Sequence, residues 1–167
     1  MSKNPSTAID SSGDIHIVWQ DDTNGAWGTD EEIMYVSYSS ATGWSNATVI
    51  SDGYNSVYWN ENGSYHPSIE VDDTGGIHVV WYDTTDGVWG TDWEIMYASY
   101  TNATGWSKAI VISDGIDELY WNDGDSYQPD IAVDDSGGVH VVWHDNTVGG
   151  GGGGVTEPDI MYARYSD

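Results

Sequence analysis

Two loops of the sequence place acids, tryptophans and glycines at matching positions. One loop reads DDTNGAWGTDEEIMY from Asp21 to Tyr35, and sixty-two residues later the other reads DTTDGVWGTDWEIMY from Asp83 to Tyr97. Acids at short spacing supply the oxygen ligands that Ca²⁺ prefers, but Asp and Gly also make plain turns and cap strand ends. Both interpretations stay open. The candidate calcium ligands are Asp21, Asp30, Asp83, Asp86, Asp92, Glu94, Asp123 and Asp125.

The same loops, and the segments that link one repeat to the next, carry aromatic side chains. Flat rings offer platforms for sugar rings or for a partner surface. Alternatively they fold back and lock neighbouring elements together, an interpretation that the recurring motif YWN favours. The candidate ligand-binding residues are Trp27, Trp89, Trp93, Tyr58, Trp59, Tyr120 and Trp121. Trp19, Trp81 and Trp143, at strand ends, are predicted to be core.

The elements that hold these loops form a repeat with a period of 62 residues, marked by Pro5, Pro67 and Pro129. Each unit has two alternating segments around a tight turn, then the long loop, a third strand, a turn and a fourth strand. Four short antiparallel strands per unit predict an all-β fold, a β-propeller. The units are 5–66, 67–128 and an incomplete 129–167, about 2.75 blades in eleven strands, and 1–167 is one partial propeller unit.

The strings PSIEVDDTGGIHVVWYD and EIMYASYTNATGWSKAIVIS resemble the bacterial neuraminidase, or Asp-box, repeats of sialidase-like propellers. The turns SSATGWS and TNATGWS keep Gly43, Trp44, Gly105 and Trp106 but have lost the aspartate of the family's turn, so they are degenerate Asp boxes. The resemblance implies the propeller fold. Sialidases clamp the sugar carboxylate with three arginines, and this chain has only Arg164. We therefore expect no enzyme activity.

A propeller ring closes with about four to eight blades, so this chain is expected either to be a fragment or to associate with itself. A homodimer with a six-bladed ring is the favoured assembly, and a homotrimer is second. An open, curved fragment is third.

Charge limits the possible partners. Against 28 acids there are three basic residues, for a formal net charge of −25, so nucleic acid and anionic membranes are excluded as partners. The acidity fits either a saline habitat or cation sites.

Without cysteine or an apolar run of membrane-spanning length, the chain is expected to be soluble as given. Three glycosylation sequons, at Asn46, Asn62 and Asn102, favour an extracellular location.

The long loops are expected to share one rim of the propeller, and function is expected there. The predicted function is a non-catalytic binding or structural module that binds Ca²⁺, carbohydrate or both. The alternatives are a fragment of a sialidase-like glycoside-processing enzyme, or a propeller fragment whose loops bind no ligand.

One histidine recurs at the same position of each unit, as His16, His78 and His140, and is interpreted as a packed residue. His66 becomes Gln128 in the next unit and is therefore not interpreted as a repeated ligand.

Overall fold

The computed structural model describes residues 1–25, 27–52, 60, 62–87, 89–114, 124–146 and 158–165. These residues form thirteen strands in three antiparallel sheets, and none of them is helical. An apolar helix of membrane-spanning length is accordingly not found in this part of the chain. The fold is all-β, as predicted.

Each sheet is built from strands that follow one another in the chain. The first sheet contains β1 (Lys3–Ile9), β2 (Ile15–Asp21), β3 (Glu32–Ser39), β4 (Gly43–Trp44) and β5 (Thr48–Val49). The second contains β6 (Ser64–Val71), β7 (Ile77–Asp83), β8 (Glu94–Thr101), β9 (Gly105–Trp106) and β10 (Ile110–Val111). The third contains β11 (Ser126–Val133), β12 (Val139–Asp145) and β13 (Asp159–Tyr165).

The fourth strand of a blade is split, which the sequence did not predict. β9 and β10 both pair with β8, and Ser107 lies between them. The Ser107 N–H donates to the Ser99 carbonyl at 2.7 Å, and the Ser107 hydroxyl accepts from the Ser99 N–H at 2.9 Å. Because the hydroxyl replaces a backbone acceptor, the ladder continues across the break. If the two pieces of each split strand are counted as one, the described strands number eleven, as predicted.

Alternation along each strand builds two separate cores. On one face of the second sheet, Val79 and Trp81 pack with Val18 and Ile33 of the first sheet. On its other face, Val80 and Ile95 pack with the third sheet. A sheet that is apolar on both faces must be covered on both, and stacked sheets satisfy this requirement. The three sheets are consecutive blades of a partial β-propeller.

The three repeated tryptophans at strand ends differ in burial. Trp81 and Trp143 are fully or almost fully buried between sheets, as predicted. Trp19 is only half-buried. The first sheet covers Trp81 of the second sheet, but among the described residues no further sheet covers Trp19 in the same way. The prediction of a core tryptophan is therefore correct for two positions and incomplete for Trp19.

Two of the three repeated histidines, His78 and His140, bridge a tyrosine hydroxyl and an aspartate, as expected of a packed histidine. His78 Nδ1 lies 2.7 Å from the Tyr97 hydroxyl and its Nε2 3.1 Å from Asp72 Oδ2. Since a carboxylate only accepts, Nε2 of the neutral ring carries the proton and Nδ1 accepts from the phenol. His140 repeats the arrangement with Tyr162 and Asp134.

The first copy of this chain of hydrogen bonds is broken. His16 Nε2 lies 3.9 Å from Asp10 Oδ2 and has no hydrogen-bond partner among the described residues. At the matching turn of the second sheet, a Cβ on Gly76 would lie 2.4 Å from Asp72 Oδ2. The first unit has Asp14 in this place, so its Cβ occupies the space that the Asp10 carboxylate needs to reach the ring.

Removing that Cβ should restore the bond. Alanine normally stabilises a position over glycine by about 0.5–1 kcal/mol. We expect the reverse at position 14: Asp14→Gly should be at least as stable as Asp14→Ala, because only glycine lets Asp10 approach His16, a bond worth about 1 kcal/mol. Urea unfolding of both variants measures the difference. The usual order, with alanine more stable, would show that the Cβ is not the cause.

Candidate functional site

The first strands of the three sheets lie beside one another, and each begins with a distorted segment. Asn4, His66 and Gln128 each precede a proline and have φ of 48°, 49° and 52°. The pairing of each strand with its neighbour slips at this point. Proline has no N–H for the ladder, so a bulge is the natural place for it. The left-handed backbone of the residue before it is strained for a residue other than glycine.

The three bulges line one open cavity of about 340 Å³, which we name the axial pocket. Its walls are residues 4–6, 66–68 and 128–130. Two neighbouring strands are linked across it, because the Ser68 hydroxyl donates to Asp130 Oδ1 at 2.9 Å. Strained backbone at non-glycine residues is concentrated at functional sites. Three such residues around one cavity make the axial pocket the candidate site.

The repeats differ from one another at the axial pocket. Asn4, His66 and Gln128 occupy one repeated position, and Ser6, Ser68 and Asp130 another, within segments that otherwise match closely. Sequence reasoning set His66 aside because it is not repeated. A pocket on the axis is shared by all the blades, however, so its side chains need not be equivalent. Divergence within a near-exact repeat was the signal that could have found this site.

A stack of aromatic rings runs from the axial pocket to the surface of the second sheet; we name it the aromatic stack. The Tyr82 ring lies 5.7 Å from the His66 ring, 5.1 Å from Tyr65 and 5.4 Å from Trp93, with interplanar angles between 17° and 21°. Trp93 ends the stack and is 39% exposed. The first sheet has Lys3, Gln20 and Glu31 where the second has Tyr65, Tyr82 and Trp93.

Trp27 and Trp89, two of the predicted platforms, pack on their own loops. Trp89 Nε1 donates to the Thr85 carbonyl at 3.2 Å, and a Cβ on Gly87 would lie 2.2 Å from the indole. Trp27 repeats the arrangement over Gly25. One face of each ring is therefore covered by its own loop and not by a neighbouring blade. Of the other predicted aromatic residues, Tyr58, Trp59, Tyr120 and Trp121 lie outside the described residues.

Most of the predicted calcium ligands have other partners. Asp83 is buried and accepts hydrogen bonds from Ser64 and Trp81 at 2.7 and 3.1 Å, and burial raises its pKa. The matching Asp21 accepts a hydrogen bond from Ser2. This bond is the largest of the contributions that lower the pKa of Asp21 below its ordinary value. Asp125 accepts from the Trp93 N–H at 3.2 Å, whereas Asp86 is exposed and Asp123 lies outside the described residues. The described residues contain no group of three or more such side chains that could hold a metal ion.

Glu32 and Glu94 are fully buried at matching positions, which sequence reasoning did not foresee. Each accepts a hydrogen bond from the hydroxyl of a serine two residues beyond the end of the fourth strand, Ser51 or Ser113. Burial raises the pKa of each glutamic acid to about 8. Oε1 of both has no hydrogen-bond partner in the described part of the chain, nor has Oδ2 of Asp30 and Asp92.

Comparison with known proteins shows the fold. No family model and no curated protein sequence matches the chain. Among solved structures, it is similar to the Hadza microbial sialidase Hz136 (16% identity, TM-score 0.67), to an endo-arabinase from Bacteroides thetaiotaomicron (16%, 0.57) and to a xylan β-1,4-xylosidase from Bacillus halodurans (17%, 0.57). The matches cover 99%, 100% and 99% of this chain, but only 35%, 57% and 29% of those structures. The sialidase-like propeller fold is thus confirmed.

The prediction that the chain is not an enzyme is contradicted by these neighbours, all of which are glycoside hydrolases. It rested on the presence of a single arginine. Three arginines are needed to clamp a sugar carboxylate, so their absence bears on sialic acid and says nothing about the cleavage of neutral sugars.

Proposed function

We propose that the chain is a partial propeller unit of a carbohydrate-active protein and that it binds a glycan at the axial pocket. The observation that carries the proposal is the aromatic stack, which joins His66 in the pocket to the exposed ring of Trp93. Sugar rings bind proteins through stacking of their C–H faces on aromatic rings and through hydrogen bonds to their hydroxyls. The pocket offers hydrogen-bonding side chains, and Trp93, at the end of the stack that begins at His66, offers an exposed ring.

The chemistry of the pocket favours a neutral sugar. Its polar side chains are amides, hydroxyls, one imidazole and one carboxylate, from Asp130, and neither lysine nor arginine is among the described residues that line it. The net charge of −25 repels anionic glycans from the whole surface. The cavity volume of about 340 Å³ lies within the range of small-ligand sites.

Glycoside hydrolysis is the second candidate function, and Asp130 is the observation that favours it. Hydrolysis needs a pair of carboxyl groups about 5–10 Å apart across the scissile bond. Asp130 supplies one acid in the axial pocket, and a second must come from beyond the described lining.

Trp93→Ala should weaken glycan binding by about 5- to 150-fold, since loss of a stacking ring costs about 1–3 kcal/mol. Calorimetric titration with neutral oligosaccharides, including arabinan and xylan fragments, measures the affinity, and assay of new reducing ends in the same samples detects cleavage. Trp44→Ala is the matched control, because Trp44 is 58% exposed on β4, away from the pocket. An equal loss in both variants, or no binding by the wild type, would refute the proposal.

Calcium binding and an extracellular location stay predictions from the sequence. The proposed glycan site uses none of the predicted calcium ligands.

A further inference from the structure

The third sheet exposes an apolar face that is buried in the second. In the second sheet, Ile95 is 0% and Tyr97 5% exposed, because the third sheet covers them. Their counterparts in the third sheet, Ile160 and Tyr162, are 66% and 58% exposed, and Val142 beside them is also exposed. Among the described residues nothing covers this surface, which we name the front face.

The first sheet exposes the opposite surface. Val79 and Trp81 of the second sheet are completely buried against the first sheet. Their counterparts Ile17 and Trp19 are only partly buried and line an open cavity of about 270 Å³. Ile9, on the same face, is 65% exposed. We name this surface the back face.

The two joints inside the chain show what fits these faces. At each internal joint, the front of one sheet packs on the back of the next. The exposed front face repeats Val80, Ile95 and Tyr97 as Val142, Ile160 and Tyr162, and the exposed back face repeats Val79 and Trp81 as Ile17 and Trp19. A second copy of this chain therefore carries the surface that complements each exposed face.

We propose that two copies of the chain dock head-to-tail, front face on back face, and close a six-bladed ring. A contact between unlike faces repeats until the ring closes. Two copies of three blades give six, within the usual range for propellers. Closure covers both apolar faces at once, whereas any open assembly leaves two of them exposed.

The effect of ring closure on glycan binding rests on the proposed function. Because the first strands of all blades share the axial pocket, closing the ring also completes this pocket. The second copy brings its own residues 4–6, 66–68 and 128–130 to the same axis. The completed pocket then contains two copies of Asp130, so the partner contributes a second carboxylate to a pocket whose described lining in one chain supplies one.

Charge controls the strength of this association. Each copy carries a net charge of −25, so the copies repel each other, while the side chains that meet at the joint are mostly apolar. Salt screens the repulsion between solvent-exposed charges and leaves apolar burial intact. The dimer should consequently be tighter in molar salt than in dilute buffer.

Light scattering after size-exclusion chromatography tests the proposal. The wild type is expected at twice the chain mass of 18.2 kDa, and its dimer fraction should rise with salt. Ile160→Lys blocks the front face and Ile17→Lys blocks the back face, so each variant alone should be monomeric. Ile110→Lys is the control, because Ile110 is 40% exposed on β10 of the second sheet and lies on neither the front face nor the back face. This variant should remain dimeric. Far-ultraviolet circular dichroism checks that every variant is folded.

Mixing the two monomeric variants gives the sharpest result. A back-blocked chain keeps an intact front face and a front-blocked chain an intact back face, so the mixture should recover one joint and the mass of a dimer. A wild type that stays monomeric in high salt, a mass other than two copies, or single variants that remain dimeric would overturn the proposal. Glycan titration of the same samples separates the two ideas, since a dimer that binds no glycan refutes the proposed function alone.

Discussion

Replacement of Glu94 by glutamine is expected to stabilise the protein by about 3–5 kcal/mol at pH 8 and to change little at pH 4.5 or below. Glu94 is fully buried, and burial raises its pKa from 4.5 to about 8, with smaller contributions from the charges of Asp92 and Asp114. The native state therefore keeps its proton where the unfolded chain has lost it. Between pH 4.5 and 8 the stability contributed by the protonated form is progressively lost as pH rises.

Glutamine is neutral at every pH, so Glu94→Gln should remove this contribution to the fall of the unfolding free energy with rising pH. Urea unfolding across the pH range measures it, and Glu32→Gln should behave in the same way, because burial raises the pKa of Glu32 to about 8 as well. Asp86→Asn is the control, since it removes one negative charge from an exposed position. A variant whose stability falls with pH as steeply as that of the wild type would contradict the assignment.

Trp81→Ala is expected to cost about 3–5 kcal/mol of unfolding free energy, which is a large part of the stability of a typical domain. The side chain is completely buried at the joint between the first two sheets, and its Nε1 donates to the buried Asp83 at 3.1 Å. The substitution leaves a cavity and also removes a donor from a buried carboxylate.

Trp19→Ala removes the same side chain from the same position of the first sheet and provides the matched comparison. Because Trp19 is only half-buried in the single chain, its loss should cost at most half as much when both variants are measured in the Ile160→Lys background, where the front face is blocked. Should Trp81→Ala fail to fold, Trp81→Phe can replace it. Its loss of unfolding free energy should be smaller, but the loss at position 81 should still exceed the loss at position 19. Equal losses at the two positions would show that the back face of the first sheet is not open.

The fold could be predicted because its determinants are local and repeated. Alternation at Val79 and Val80 places neighbouring side chains in two different cores, and the 62-residue period repeats this pattern in each blade. The split of the fourth strand at Ser107 was not predictable in this way, since it depends on a hydroxyl that stands in for a backbone acceptor.

The candidate site could not be predicted, because it depends on contacts between distant segments. The axial pocket forms where three strands from separate repeats meet, and the burial of Glu94 depends on Ser113, nineteen residues later. Trp89 looked exposed because its loop is polar, although its ring packs on Gly87. Among the aromatic residues predicted to bind a ligand that the structure describes, Trp93, at the end of the aromatic stack, is the one whose ring is 39% exposed.

The near identity of the two internal joints also has a genetic consequence. Since each blade presents the same front and back as its neighbours, a gene that gains or loses one 62-residue unit by recombination between its repeats would still encode blades that fit. Blade number is then free to vary during evolution without a new interface having to arise. The positions that line the axis are the exception, because every such event would shuffle Asn4, His66 and Gln128 and so renew the pocket while the scaffold stays the same.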